Sequence, residues 1–220
     1  MYQNKLFVCT LAFSLFCSLF IKQSVAGEKK NADYKETISV LQNLYKSEVV
    51  AYKTYSRFAQ KADAEKHYSV ARLFRALSES ESIHARNFKT ILNELGVEPK
   101  RFPEPDVRIS KTKKNLKWAL KVELAEIDTH YPKLIQRIKS EKNEEALKYI
   151  TYAWKSEMQH RDMIKKMQGG LRFFYGTIVD KLKEAKKYHV CQCCGATVFT
   201  LPEKCCVICG SQVSMYKQVK

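Results

Sequence analysis

The chain has 220 residues, enough for one good core and a small appendage. With 45% hydrophobic and 28% charged residues and only seven Gly and five Pro, it is neither disordered nor fibrous. A formal charge of +16 permits nucleic-acid binding, but Lys and Arg are scattered over every predicted helix and an exported chain rarely meets DNA, so no nucleic-acid partner is expected.

Residues 1–26 read as a secretory signal peptide. A short basic start, "MYQNK", precedes the 16-residue apolar run "LFVCTLAFSLFCSLFI", and "SVA" places small residues before Gly27. The alternative is an uncleaved anchor, but a membrane span usually needs roughly 20 residues. Cleavage removes Lys5 and Lys22 and lowers the charge to +14. The expected location is exported, periplasmic or otherwise extracytoplasmic, with no stable membrane span once the leader is cut.

Four long helical patterns follow within 27–170. The first covers about 35–62, with Leu41, Leu44, Glu48, Ala51, Tyr52 and Tyr55 on one stripe. The second covers about 65–95 and stops at Gly96. Pro99, Pro103 and Pro105 then forbid helix, so this stretch is a long surface crossover. The third helix covers about 113–139, with Leu116, Ala119, Glu123, Glu126, His130 and Leu134 on one face. The fourth covers about 143–168 and is interrupted by Gly169-Gly170. Residues 171–187 read as a connecting amphipathic helical segment, and 188–220 as a separate cysteine-rich unit.

Two of these helices carry an oddity. Leu77, Glu81, His84 and Phe88 share a face, as do Ile150, Ala153, Glu157, His160, Ile164 and Met167. A carboxylate and an imidazole on a core stripe cost free energy unless something compensates them. The same Glu-x-x-His spacing occurs twice, and each pair follows an upstream Glu. Glu48 lies 33 residues before Glu81, and Glu123 lies 34 before Glu157. Two such helix pairs facing inward make a pseudo-symmetric four-helix bundle with four carboxylates and two imidazoles at its centre. Carboxylates can bridge two cations and imidazole suits iron. This is the known ligand pattern of ferritin-like di-iron proteins, so the match is to a template. Glu126 is an additional carboxylate one turn after Glu123, with a solvated edge residue as its plainer reading. Tyr55 and Tyr131 lie near the inferred site, where a phenol can hydrogen-bond a ligating carboxylate. His130 reads as core or as support for the ligands, and His67 and His189 are unassigned.

The last 30 residues hold Cys191-x-x-Cys194-Gly and Cys206-x-x-Cys209-Gly. Two such knuckles supply four thiolates in a tetrahedral array, for zinc or a single iron. Cys193 and Cys205 are extra, and Cys205 could replace Cys206 at Cys-x-x-x-Cys spacing. In an exported protein a disulfide cluster is the competing reading.

Together, "SEVVAYKTY", "ESIH", "NLKWALKVELAEIDTHYP", "EMQH" and "CQCCG…LPEKCCVICG" make the chain resemble the rubrerythrin family over roughly residues 36–220. The resemblance implies a mainly α fold: a ferritin-like di-iron bundle plus a small rubredoxin-like knuckle. It maps Glu48, Glu81, His84, Glu123, Glu126, Glu157 and His160 onto two iron ions, and Cys191, Cys194, Cys206 and Cys209 onto a third. It further implies reduction of hydrogen peroxide to water, with electrons relayed from an electron-donor protein through the four-cysteine iron. One iron is expected to move between His84 and Glu126 with redox state. A head-to-tail homodimer is expected to bring bundle and knuckle together. A ferroxidase or iron-handling protein with a structural zinc knuckle is the alternative. The leader and the doubled cysteines depart from the family pattern.

Overall fold

The computed structural model describes residues 33–173 and 187–219. The leader expected over 1–26 and most of the connecting segment lie outside these residues. The first pair of helices, α1 (Lys35–Ala64) and α2 (Tyr68–Glu94), is an antiparallel hairpin. The turn between them needs one residue with positive φ, Lys66, and closes with His67 N–H on Ala62 O at 2.8 Å. Helix α2 stops at Gly96 (φ +76°), where Val97 N–H returns to Leu92 O at 2.9 Å. The proline-rich crossover has no regular structure and is tacked to α1 by Gln42. That side chain donates to Glu98 O and accepts from Lys100 N–H.

The third bundle helix is broken. It runs as α3 (Thr112–Ala125), a π-helical turn (Glu126–His130) and α4 (Tyr131–Ile138). The final helix, α5 (Glu144–Phe173), passes straight through Gly169-Gly170, which corrects the expected interruption. Glycine in a helix costs about 1 kcal/mol relative to alanine but forbids nothing. Among the described residues no helix is long and apolar enough to cross a membrane.

Two helix starts are capped from a distance. The residues before α1 and α3 are Tyr34 and Lys111, and neither caps its helix through a side chain. The orphan N–H groups of α1 are taken by Glu141, which accepts from Glu36 N at 2.8 Å and Thr37 N at 2.7 Å. Those of α3 are met by Glu65, which accepts from Thr112 N at 2.8 Å. Carboxylates at helix N-termini are favourable for both hydrogen bonding and the helix dipole. These contacts fix the third helix against the hairpin.

Two apolar clusters fill the bundle. One contains Phe58, Phe74, Leu77, Leu116 and Ile164, and the other Leu41, Leu44, Phe88, Leu92 and Ile150. The cysteine-rich tail forms a three-stranded antiparallel sheet in the order β2-β1-β3. The strands are β1 (His189–Cys191), β2 (Thr197–Val198) and β3 (Tyr216–Gln218). Tyr188 and Val190, at its start, join the first apolar cluster of the bundle, so the tail packs on the helices.

The Glu65 cap carries a pH signature. The Thr112 backbone N–H is the main cause that holds its carboxyl near 2, below the ordinary 4.5. A depressed carboxylate contributes stability that is present above its unfolded value and lost as pH falls towards its folded value. Glu65→Gln is therefore expected to lower the melting temperature at pH 7 by about 2–4 °C, the equivalent of a lost cap of about 1 kcal/mol in a chain of this size. The gap between variant and parent should close as pH drops from 4.5 towards about 2. A gap independent of pH, read by calorimetry, would remove the cap from the account.

Candidate metal centre

Four carboxylates and two imidazoles meet between the two apolar clusters. Glu48, Glu81, Glu123 and Glu157 are no more than 5% exposed, and His84 and His160 no more than 1%. Glu48 comes from α1, Glu81 and His84 from α2, Glu123 from α3, and Glu157 and His160 from α5. Their ligand atoms form two groups, each within 4.8 Å. One is Glu48, Glu81, His84 and Glu157; the other is Glu81, Glu123, Glu157 and His160. Glu81 and Glu157 belong to both, which is the placement of bridging carboxylates.

Each imidazole presents Nδ1 to the carboxylates. His84 Nδ1 is 2.9 Å from Glu81 Oε2 and 3.3 Å from Glu157 Oε1. His160 Nδ1 is 2.9 Å from Glu157 Oε2 and 3.2 Å from Glu81 Oε1. Two tyrosines tie the outer carboxylates reciprocally across the bundle. Tyr55 on α1 donates to Glu123 Oε1 at 2.5 Å, and Tyr131 on α4 donates to Glu48 Oε1 at 2.6 Å. Each phenol fixes one carboxylate oxygen, and the other faces an imidazole: Glu48 Oε2 is 3.8 Å from His84 Nδ1 and Glu123 Oε2 3.9 Å from His160 Nδ1.

The electrostatics show what the site lacks. Burial and the neighbouring carboxylates push Glu123 well above its ordinary range; burial, with further contributions from Glu81 and Glu157, pushes Glu48 up to about 8. Burial acts on Glu157 too, but the His160 and His84 rings outweigh it and hold that carboxyl low. Burial should lower both histidines, yet the carboxylates reverse it: His160 is raised to about 9, and His84 well above its ordinary value. Glu157 Oε1 has no hydrogen-bond partner although it is fully buried. The donor set is thus hard, anionic and incompletely satisfied by protons and hydrogen bonds. It fits a pair of divalent or trivalent cations.

Glu126 stands apart. It belongs to neither group, is partly exposed, and pairs with His130 Nδ1 at 2.5 Å. The expected core stripe of Glu123, Glu126 and His130 is therefore not formed, because the π-helical turn begins at Glu126 and shifts the face. His67 and His189 are outside both groups.

The tail holds a second cluster. Sγ atoms of Cys191, Cys194, Cys206 and Cys209 lie within 4.8 Å of one another. Cys194–Cys206 and Cys191–Cys209 separations of 3.6 and 3.8 Å are too long for disulfides. Cys206 supplies the sulfur, while its neighbour Cys205 is exposed. Both knuckles repeat one geometry. Gly195 N–H bonds Cys191 O and Gly210 N–H bonds Cys206 O, at φ of +81° and +73°. Tyr216 donates to Cys206 Sγ at 3.2 Å, which favours the thiolate a metal needs.

The two centres touch. His84 Nε2 lies 3.2 Å from Cys194 O. Gly195 O accepts from Ser80 Oγ at 2.7 Å and Ser156 Oγ at 3.1 Å. Asn87 donates to Cys193 O at 2.8 Å and Arg86 to Gln192 O. The distance that the expected head-to-tail dimer was to bridge is absent within this chain. Ser80, Ser156, Arg86 and Asn87 escaped the sequence reading. A signal existed: a buried serine immediately precedes each Glu-x-x-His, as Ser80-Glu81 and Ser156-Glu157.

Chelation should expose the cost of this site. Groups whose folded pKa is raised stabilise the fold at low pH and lose that contribution as pH rises to the folded value. For Glu48 the window is 4.5 to about 8, and for His160 it is 6.5 to about 9. The metal-free protein is therefore expected to melt lower at pH 9 than at pH 6, with the difference reduced in Glu48→Gln. Metal-loaded protein should show little of this slope. Equal slopes with and without metal would contradict the compensation described above.

A family model described as Rubrerythrin matches residues 39–168. Rubrerythrin-2 of Clostridium acetobutylicum is 27% identical over 179 residues, covering 79% of this chain and 91% of that protein. Among solved structures, nigerythrin in a mixed-valent state shares the fold with a TM-score of 0.69 at 23% identity, over 83% of this chain and 86% of that one. The bacterioferritin of Desulfovibrio desulfuricans gives a TM-score of 0.64 at 19% identity, over 70% of this chain and 90% of that one. With two shared-carboxylate groups in a ferritin-like bundle and a rubredoxin-like four-cysteine knuckle, this chain belongs to the rubrerythrin family.

Proposed function

We propose that the protein is a non-haem di-iron peroxidase that reduces hydrogen peroxide to water. The observation that carries this reading is the contact between the two centres, His84 Nε2 to Cys194 O at 3.2 Å. A knuckle with a purely structural role needs no seat against a metal-ligand imidazole. Here a candidate ligand of the four-cysteine centre and a candidate ligand of the bundle centre are one hydrogen bond apart.

Glu48, Glu81, His84 and Glu157 would hold one iron and Glu81, Glu123, Glu157 and His160 the other. A bound diferrous pair supplies the two electrons that, with two protons, split the O–O bond of one peroxide into two waters. The protein's own contribution is placement. Tyr55 and Tyr131 hold one oxygen each of Glu123 and Glu48, so the second oxygen is aimed inward. The apolar clusters on either side keep bulk water out and strengthen every charge interaction within. The Cys194 carbonyl accepts the Nε2 proton of His84, which fixes the tautomer and leaves Nδ1 as the ligand nitrogen. With an iron held by the four cysteines, the same contact would offer a short path for electrons from a donor protein back to the pair.

Export, with the leader removed, and a homodimer belong to the same proposal. Recovery of protein beginning at Gly27 from a non-cytoplasmic fraction, sedimenting at twice the chain mass, is the expected result.

The primary test is anaerobic. Iron and zinc would be assayed per chain, the protein reduced, and its visible spectrum followed as hydrogen peroxide is added. Roughly three irons per chain and rapid oxidation of both chromophores are expected. Two irons and one zinc, with only the bundle responding, would sink the relay and favour a ferroxidase. Replacing Cys191 and Cys194 by Ser should abolish peroxide cycling and spare ferrous oxidation.

Gly195→Ala offers a subtler check. A Cβ at Gly195 would lie 2.4 Å from His84 Nε2 and 2.8 Å from Ser80 Oγ, so the contact between the knuckle and the His84 ring must give way. Re-reduction of the bundle irons should slow by at least about tenfold with iron content unchanged. Unchanged re-reduction would show that electrons reach the pair by another route.

A further inference from the structure

Ser80 and Ser156 are fully buried, and each directly precedes a Glu-x-x-His pair. A helical serine or threonine often returns its hydroxyl to its own helix. Thr90 on α2 and Thr151 on α5 do so, bonding Arg86 O and Leu147 O. Ser80 and Ser156 instead leave their helices and converge on one acceptor, Gly195 O, at 2.7 and 3.1 Å. Thr197 Oγ1 approaches the same oxygen at 3.1 Å, and the two serine oxygens are 3.3 Å apart. Three hydroxyls thus crowd a carbonyl with two lone pairs.

The other end of that peptide unit faces the cysteines. A trans peptide points its C=O and N–H in opposite directions, and none of the described peptide bonds is cis. The N–H that shares a peptide with Gly195 O is that of Ala196. The Cys191 and Cys206 sulfurs and burial push the Cys194 thiol up, and the Ala196 N–H acts against them in favour of the thiolate. Cys194, Ala196 and Thr197 are buried together with the serines, so no bulk water competes at either end. Hydrogen bonds in such a dry chain polarise one another, by roughly 10–30% per bond. Hydroxyls on Gly195 O therefore make the Ala196 N–H a stronger donor to Cys194 Sγ.

We propose that Ser80 and Ser156 are positioning residues that raise the reduction potential of an iron held by the four cysteines, acting from the bundle through the Gly195–Ala196 peptide. The inference rests on iron at that site, as the proposed relay requires. With four thiolates the ferric centre carries one net negative charge and the ferrous centre two. A stronger N–H donor at sulfur stabilises the more negative ferrous form, so hydrogen bonds to the sulfurs lift the potential. The two helices that carry Glu-x-x-His thereby set how readily the knuckle accepts an electron.

The test is a spectroelectrochemical titration of the full chain reconstituted with iron, with no peroxide present. In the Ser80→Ala/Ser156→Ala double variant, the ferric-to-ferrous ratio of the four-cysteine iron at fixed potential should rise roughly threefold. At roughly 59 mV per tenfold for one electron, that is a fall of about 28 mV. Ser80→Thr/Ser156→Thr, which keeps both hydroxyls, should restore the parent potential. Ser78→Ala, which removes a hydroxyl bonded to Tyr52 O on α1, should leave it unchanged. A seat with a merely structural role predicts the opposite sign, because a loosened knuckle admits water and water favours the more highly charged ferrous form. An unchanged or raised potential in the double variant, no recovery with threonine, or an equal fall in Ser78→Ala would overturn the proposal. The expected fall in a protein that ignores peroxide would sink the peroxidase reading and leave this inference standing. Cysteines that take up no iron would sink both.

Discussion

Four buried carboxylates with too few protons and hydrogen bonds are the constraint from which the rest of the structure follows. Glu48, Glu81, Glu123 and Glu157 come from four separate helical segments and converge in a layer with apolar packing on both sides. Like charges at this density repel strongly in a low-dielectric interior. Some of the repulsion is relieved by the two imidazoles, which is why both hold protons against the effect of burial. Two cations bound among these carboxylates would relieve it further. The two halves of the molecule echo each other in this respect: each gives one lone Glu, one Tyr that reaches across, and one Glu-x-x-His. The tyrosines cross between halves, so neither half is satisfied alone.

The knuckle answers a different constraint. Its glycines are required by backbone conformation at φ of +81° and +73°, and that requirement is met in any pair of Cys-x-x-Cys-Gly turns. Gly195 has a second duty that Gly210 lacks. A side chain at Gly195 would collide with His84 and Ser80, while at Gly210 it would meet nothing. The carbonyl of Gly195 takes hydroxyl protons from serines on α2 and α5, so the knuckle is seated on both Glu-x-x-His helices at once. Most of this seat uses tail backbone groups, which couples its geometry to the cysteine turns themselves. The consequence is that the spacing between the two centres is set by rigid parts on each side.

The third bundle helix shows where local pattern and tertiary context part. By α-helical spacing Glu123, Glu126 and His130 share a face. In the fold the π-helical turn takes up one extra residue, and Trp154 on α5 supplies a donor to Ile127 O within it. No local propensity in "EIDTH" announces such a turn; its stabilising partner lies 27 residues away on another helix. The same reasoning applies to the distant caps. Tyr34 and Lys111 are poor starts for helices, and only the folded chain brings Glu141 and Glu65 to their N–H groups.

Periodicity alone determined that this chain is a helical bundle, because a stripe of apolar residues at 3.6-residue spacing has one efficient way to be buried. It also marked Glu48, Glu81, His84, Glu123, Glu157 and His160, since charged groups on core stripes at repeated spacing demand a shared cause. The four-cysteine cluster was legible for a similar reason: two identical turns bring paired sulfurs together from within each turn. Tertiary structure decided what depends on contacts between elements distant in sequence. It chose Cys206 over Cys205, because only one of two adjacent side chains can face inward from the turn. It turned Glu126 to His130, and it laid Cys194 and Gly195 against His84. Those outcomes rest on which surfaces meet, and no repeat in the sequence encodes which faces of separate elements will touch.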